Sequence, residues 1–466
     1  MPQKQNQLTR RSFLGQSVAT GVAAGLGASA IATSRTGQIL GANDRIRIGC
    51  IGVGNRGTQV LDVFRSFDDV EVAALSDIYA PYLYRDASMV DLHLQAALGG
   101  RIPKMGEGFG KSVARYKDFR RLLEQKDIDA VIIATPDHWH AIQTIMACQA
   151  EKDIYVEKPL SMTIVEGRKM TETAKEYKRI VQVGLQRRSS PVYLPLAPLI
   201  QNGKIGKVSV ARAYRISNMY PDGIGKAKPT TPPSELDWDM WLGPRASRPY
   251  QENIHPYRFR WWGDYSSQVG NWGVHYFDAI RWLLGEKAPV SVSAHEGGHF
   301  VDDDRTIPDT MEVTFEFASG TLLVFGQYEA SSGFAIPNGE IELQGTLGTM
   351  ISNPSYTNAA YYKFVPSPAG QFQEQQKNLD AETVKVETND PTEAHVRNFL
   401  DCVKSRNECR CPLEEGHRST TFAHLANIAL ATRSRVEWDP EKEIVTSPSS
   451  ANKLLHYDYR KPWKLG

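Results

Sequence analysis

One stretch decides what this chain can fold into: residues 45–77, RIRIGCIGVGNRGTQVLDVFRSFDDVEVAALSD. Its apolar opening, Ile46–Ile51, reads as a strand buried on both faces. The chain then turns through Gly52, Val53, Gly54, Asn55, Arg56 and Gly57, and Val60, Leu61 and Phe64 follow at helical spacing. A second strand over residues 70–75 leads to Asp77. Strand, G-x-G-x-x-G turn, helix, strand and terminal acid, in that order, form a β-α-β unit of the dinucleotide-binding kind. Gly52 permits the tight turn, Gly54 lets the backbone approach a pyrophosphate, and Gly57 lets the helix pack on the strand. The helix N-terminus offers unpaired N–H groups and partial positive charge to that phosphate, in a turn that also carries Asn55 and Arg56. Asp77 stands where a carboxylate accepts from the ribose hydroxyls, and its charge repels a 2′-phosphate. NAD is therefore the expected cofactor. NADP is the alternative, because Arg56 in the same turn softens that repulsion.

The 466 residues have room for two or three domains with a sizeable core. With 54 basic and 53 acidic side chains the net charge is +1, so no electrostatic footprint for nucleic acid is present. No uninterrupted apolar span in the mature chain is long enough for a membrane helix. The cysteines are Cys50, Cys148, Cys402, Cys409 and Cys411, an odd number. Cys409 and Cys411 lack a nearby histidine pair, so no zinc or other metal site is expected. A Cys402–Cys409 or Cys402–Cys411 bridge stays open for an oxidising compartment.

Residues 1–43 stand outside the expected fold. Thr9-Arg10-Arg11-Ser12-Phe13-Leu14 is a twin-arginine pattern, followed by an apolar Ala/Gly-rich segment and an Ala28-Ser29-Ala30 cleavage candidate. Export to the periplasm or beyond is the expectation. This route carries folded proteins, so a cofactor would travel inside.

Residues 44–185 alternate strands and helices. After Asp77 come a helix candidate over 87–97, a second over 112–125 and a continuous apolar strand over 128–134, ended by Thr135 and Pro136. A helix over 140–150, a strand over 154–156 closed by Glu157-Lys158-Pro159, a helix over 163–177 and a strand over 180–183 complete the pattern. This predicts a parallel sheet covered on both faces, an α/β dinucleotide-binding domain. In residues 186–466 the pattern changes. A strand at Val208–Ile216 precedes an aromatic-rich excursion over 219–262 and an amphipathic helix over 276–284. Strands over 290–294, 310–317, 321–328 and 340–344 succeed one another without helices, and helices over 393–403 and 416–436 close the chain. The expectation is an α+β domain with a mainly antiparallel sheet.

Three motifs stand together: GVGNRG at 52–57, VEKPL at 156–160 and GNWGVHYFDAIRWLLG at 270–285. In combination they resemble the Gfo/Idh/MocA oxidoreductases, the glucose–fructose oxidoreductase and inositol dehydrogenase family. The resemblance covers nearly all of the mature chain, and TPDHWHA and ELDWDMWLGP are similar to its exported branch. It implies a Rossmann domain joined to a substrate domain whose large open sheet mediates dimer or tetramer contacts. A sugar or polyol would sit between the domains, at the C-terminal ends of the first domain's strands, where Thr135, Pro136, Glu157 and Lys158 fall.

By the same resemblance, Lys158 would donate to the substrate oxygen and His275 would take its proton, a task for a group titrating near neutrality. His140 would lie near the nicotinamide. Arg187, following the strand over 180–183, is placed to face the substrate cleft, and Trp262 and Trp272 offer faces for stacking on a sugar. The chain departs from the family's D-x-x-x-H pattern, with Asn271 where an aspartate is usual. An amide orients a hydroxyl but holds no charge. The proton work then falls to Lys158 and His275, or Asp278 or Asp264 supplies the carboxylate.

The leading expectation is an NAD(P)-dependent oxidoreductase acting on a carbohydrate or polyol. A redox-neutral sugar-modifying enzyme (glycosidase, lyase or epimerase) with retained NAD is the alternative. A non-catalytic sugar- or nucleotide-binding protein is the third, because fold alone does not assign function.

Overall fold

Apolar runs bounded by glycine and proline become the strands of two sheets, and the loops at one end of the first sheet carry the motifs. The structure is a computed structural model that describes residues 45–86, 88, 113–337, 339–354, 360–367, 379–387 and 391–466. The twin-arginine pattern, the cleavage candidate and most of the helix candidate over 87–97 lie outside the described residues.

The first domain runs β1 (Ile46–Ile51), α1 (Asn55–Arg65), β2 (Val70–Ser76), α2 (Ala80–Tyr84), β3 (Ala114–Tyr116), α3 (Phe119–Leu123), β4 (Ala130–Ile133), α4 (His140–Gln149), β5 (Asp153–Val156), α5 (Ile164–Glu176) and β6 (Val181–Val183). The sheet order is β3-β2-β1-β4-β5-β6, every pair parallel. This is the doubly wound order, whose ligand crevice opens where β1 and β4 send their connections to opposite sides. The loops after β1, β4 and β5 meet there. Residues 112–125 are not one helix as expected: residues 114–116 pair with residues 74–76 as the sheet's edge strand. Asp118 then caps α3 by accepting from Arg120 N at 3.0 Å. Strand pairing outweighs helical spacing over so short a segment. Thr163 and Glu166 form a capping box that starts α5 directly after the VEKPL segment.

The second domain continues with α6 (Tyr193–Gln201), β7 (Val208–Ile216), α7 (Trp238–Leu242), α8 (Val274–Leu284), β8 (Pro289–Glu296), β9 (Thr310–Phe317), β10 (Leu322–Tyr328), β11 (Ile341–Gly345), β12 (Gly348–Asn353), β13 (Ala360–Pro366), β14 (Glu382–Val386), α9 (Pro391–Ser405), α10 (Leu413–Thr432), β15 (Val436–Asp439) and β16 (Ile444–Ser447). The described strands form one sheet, β14-β13-β12-β11-β7-β10-β9-β8-β15-β16, antiparallel except for β7 beside β10. Along β9 the alternation is plain: Met311, Val313, Phe315 and Phe317 are buried, whereas Thr310, Glu312, Thr314 and Glu316 face the other side. The buried face packs Phe315 and Phe325 on Phe277 of α8, with Phe422 of α10 completing the cluster at centroid distances of 5.0–5.7 Å. Helix α6 escapes a sequence reading because Pro195 and Pro198 interrupt its pattern.

Helix α10 joins the domains, packing on α5 of the first and on α8 and β8 of the second. Asp278 sits in this joint with no exposed surface. Its carboxylate accepts from Arg188 Nε at 2.9 and 3.0 Å and from Ser419 Oγ at 2.7 Å. Arg188 and Arg281 both also pair with Glu415. Asp278 is therefore a structural ion-pair residue, taken up by Arg188 and Ser419 rather than standing as a free carboxylate for substrate or for His275. Asp264, the other candidate carboxylate, is exposed and paired with Arg245 at 2.9 Å. All five cysteines are free and buried, so neither bridge left open at Cys402 is formed in this structure. Among the described residues no helix is long and apolar enough to cross a membrane.

Removing Asp278 would leave Arg188 buried beside an absent partner. Asp278→Ala is expected to lower unfolding free energy by about 3–5 kcal/mol, measured by denaturant titration; a loss below about 1 kcal/mol would contradict a structural role.

Candidate active site

The glycine turn is built around close backbone approach. Gly52 has φ +85°, and a Cβ there would stand 2.8 Å from the Ala134–Thr135 peptide. A Cβ at Gly57 would stand 1.9 Å from the Gly52 carbonyl oxygen, so only glycine lets α1 start this close to β1. Gly54 meets only the Tyr82 ring, at 3.4 Å, and opens on the cleft. As the N-cap of α1, Gly54 has no capping side chain, so the first-turn amides of α1 are left for a ligand.

Asp77 ends β2 with Oδ2 accepting from Val53 N and Oδ1 from Tyr79 N, both at 2.9 Å. These bonds aim the carboxylate along the turn. Burial pushes its pKa up to about 6 against those two amides and Arg85. Arg56 lines the cleft too, and its Nε donates to Glu157 Oε1 at 2.8 Å, tying the glycine turn to the end of β5. Asn55 also lines the cleft, and its side chain accepts from Gln59 at 3.3 Å.

Thr135 and Pro136 form the opposite wall, with Thr135 Oγ1 donating to Gln143 at 2.7 Å. Glu157 is buried and lines the same cleft. Beside it Lys158, half-buried, donates from Nζ to the Asn271 carbonyl at 2.8 Å and to Asn271 Oδ1 at 2.9 Å. Burial lowers the Lys158 pKa to about 8, opposed by Glu157 and Asp137. Asn271 lies in a π-turn, Val269–Gly273, that leads into α8. Such wide turns are frequent at functional sites.

One cavity contains Gly52, Gly54, Asn55, Arg56, Asp77, Thr135, Pro136, Glu157, Lys158, Asn271 and Trp272. These donors fit a dinucleotide: backbone amides and a glycine cradle at one end, an aimed carboxylate beside them, and a lysine at the other. Among the described residues no cluster of acidic, histidine or cysteine side chains suits a metal ion.

Four expected site residues stand elsewhere. His140 is buried, with Nδ1 facing Pro159 O at 2.7 Å and Nε2 facing Thr135 O at 2.9 Å. It braces the loops after β4 and β5 and is not part of the cavity wall. Arg187 is buried, pairs with Glu340 at 2.7 Å and lies over Tyr276 at 4.6 Å. Trp262 is core, its Nε1 bonded to Asn253 O at 2.9 Å, whereas Trp272 faces the cavity with Arg215 stacked 3.9 Å from its ring. His275 does not border the cavity, and its Nδ1 is buried without a hydrogen-bond partner among the described residues. Burial, reinforced by Lys158, Arg187 and Arg56, holds its pKa well below the ordinary histidine value. That direction runs against the near-neutral titration expected of it.

The excursion over 219–262 supplies the wall that sequence reasoning missed. Met240, Trp241, His255, Tyr257, Phe259 and Arg260 close the cavity from the second domain. His138 Nε2 and Trp139 Nε1 both donate to the Trp241 carbonyl, at 2.8 and 3.0 Å, and residues 79 and 236 form a β-bridge. The aromatic density of the excursion was a signal, but only the fold shows which rings face the cavity.

Comparison with known proteins follows the same outline. The chain matches the description "Oxidoreductase family, NAD-binding Rossmann fold" of the Gfo/Idh/MocA family over residues 46–185. It matches that family's "C-terminal alpha/beta domain" over residues 199–341 and 348–465. Myo-inositol 2-dehydrogenase of Thermotoga maritima is 27% identical over 280 residues, 59% of this chain and 66% of that protein. A glycosyl hydrolase family 109 protein of Shewanella pealeana is 34% identical over 143 residues, 31% of this chain and 29% of that protein. The matched parts thus span less than two thirds of either relative. A solved levoglucosan dehydrogenase, in complex with NADH and levoglucosan, shares the fold with TM-score 0.61 at 18% identity, covering 84% of this chain and 99% of that one. With both family descriptions matched across most of its length, the chain belongs to the Gfo/Idh/MocA oxidoreductase family, and its first domain is that family's NAD-binding Rossmann fold.

Proposed function

We propose that the protein is an NAD-dependent oxidoreductase that moves hydride between the nicotinamide and a hydroxyl-bearing carbon of a carbohydrate or polyol. The observation that carries this reading is Lys158, a half-buried ammonium held by two oxygens of Asn271 in the cavity that the glycine turn and Asp77 also enter. The similarity to a myo-inositol 2-dehydrogenase supports a polyol or sugar as the substrate class.

Bound NAD supplies the hydride acceptor. Lys158, with its pKa near 8, exchanges a proton with the substrate oxygen at ordinary pH. As the ammonium it donates to that oxygen and stabilises developing negative charge. Asn271 fixes the direction of Nζ through its two acceptors. Trp272 presents a ring to the apolar face of a sugar. Asp77 holds the adenosine ribose, and the Gly52–Gly57 turn receives the pyrophosphate.

The test is NADH formation with NAD and a panel that includes myo-inositol and levoglucosan. Activity on at least one polyol or sugar is expected, and Lys158→Ala should lower kcat/KM by about 100-fold or more. Undiminished hydride transfer in Lys158→Ala would overturn the assignment. Because the free amine accepts the proton, kcat/KM for oxidation should rise with pH through about 8, and that for reduction should fall over the same range. Asp77→Ala should weaken NAD binding by about tenfold, the worth of one charge-assisted hydrogen bond, and narrow the preference over NADP; calorimetric titration measures both.

A redox-neutral reaction is the second reading, favoured by the similarity to a glycosyl hydrolase family 109 protein and by the excursion closing over the cavity. It predicts product from a glycoside with no net change in nucleotide; one equivalent of NADH followed by arrest would exclude it. We also propose export by the twin-arginine route, from Arg10 and Arg11, which Arg10→Lys combined with Arg11→Lys should block in a fractionation assay. A dimer or tetramer assembled through the uncovered sheet face is part of the same reading, with sedimentation as its measure.

A further inference from the structure

Among the described residues no carboxylate pairs with Lys158 Nζ, but its hydrogen bonds do not stop at Asn271. Asn271 Nδ2 donates to Gln268 Oε1 at 3.1 Å. Gln268 Nε2 donates to Glu329 Oε1 at 3.0 Å. Glu329, just beyond β10, is 2% exposed and takes two more donors on Oε2, Trp261 Nε1 at 2.9 Å and Arg305 at 2.8 Å. The line runs Lys158–Asn271–Gln268–Glu329, from the end of β5 through the π-turn to the second sheet.

Its polarity is forced. An ammonium only donates and a carboxylate only accepts. Each amide between them must turn its oxygen toward Lys158 and its NH₂ toward Glu329, as both do. Reversing either would set like groups against each other at both of its ends. We propose that Glu329 is a positioning residue that, through Gln268 and Asn271, orients Lys158 and favours its protonated form. It would do at two amides' remove what an aspartate at position 271 would do directly, and the proposal rests on the reading of Lys158 as the group that handles the substrate proton.

Other charges bear on both ends. Lys158 faces Glu157, Asp137, Arg260 and Arg56, with His275 nearby. Glu329 faces Arg305 and Arg215, and Arg305 also pairs with Asp303 at 2.8 Å. Burial pushes the Glu329 pKa up to about 7, against Arg305 and Trp261.

The test is the pH dependence of Lys158 acetylation by acetic anhydride, read by mass spectrometry on the full chain as purified, without turnover. Only the free amine reacts, and the wild-type midpoint is expected at about 8. Glu329→Gln should lower the midpoint by roughly half a pH unit or more. Gln268→Met should shift it in the same direction while sparing the Glu329–Arg305 pair, which keeps the test decisive if Glu329→Gln misfolds. Asn271→Asp should raise it and make it insensitive to a second change at Glu329. Wild-type midpoints in Gln268→Met and in any folded Glu329→Gln would overturn the proposal. If Lys158→Ala keeps full hydride transfer while the labelling shifts appear, the catalytic reading falls and the coupling stands; unshifted labelling with an inactive Lys158→Ala gives the reverse.

Discussion

A charged amine taken out of water must find acceptors, and this structure depends on where Lys158 finds them. The first domain places Lys158 at the end of β5 but supplies no acceptor for Nζ. Both come from Asn271 of the second domain, one from its backbone and one from its side chain. The Rossmann domain can therefore form the nucleotide cradle by itself but not the reacting end of the site. The joint that holds the domains in register is itself ionic and buried, with Asp278, Arg188 and Ser419 packed beneath α8 and α10. Buried ion pairs of this kind contribute little net stability yet cost several kcal/mol when one partner is removed, which suits them to fixing one relative placement of two domains.

The two ends of the cavity are built on different principles. At the nucleotide end, backbone does the work: Gly52 and Gly57 let chain pass chain, and Asp77 is aimed by two amides. At the reacting end, side chains do it, and they come from four separate segments. Arg56 links the ends by pairing with Glu157. Burial and three nearby cations, Lys158, Arg187 and Arg56, push the His275 pKa down. Burial also lowers the pKa of Lys158, to about 8, which is the basis for proposing it as the acid–base group.

Local pattern was enough for much of this. Strand β1, the glycine turn, α1 and β2 are readable because strand, turn, helix and strand follow one another directly in sequence, and Gly57 answers a steric need at Gly52, five residues earlier. The alternation of strand and helix up to β6 gave the parallel sheet, and the run of strands after α8 gave the antiparallel one. What escaped was set by distant partners. Residues 114–116 became a strand because β2 offered an edge. Trp262 and Trp272 are chemically equal in sequence, yet one is bonded into the core and the other faces the cavity. Asp278 was a candidate carboxylate in the sequence, but Arg188, 90 residues earlier, claims it. Glu329 lies 171 residues from Lys158, and no local motif joins them.

The central claim is that one cavity holds the dinucleotide with its nicotinamide beside Lys158, and a crystal structure of the protein with NADH tests it most directly. The account predicts the pyrophosphate on the Gly52–Gly57 turn, the adenosine ribose on Asp77, and the nicotinamide between Pro136 and Lys158, with Asn271 still holding Nζ. A nucleotide bound outside this cavity, or inside it with the nicotinamide remote from Lys158, would contradict it.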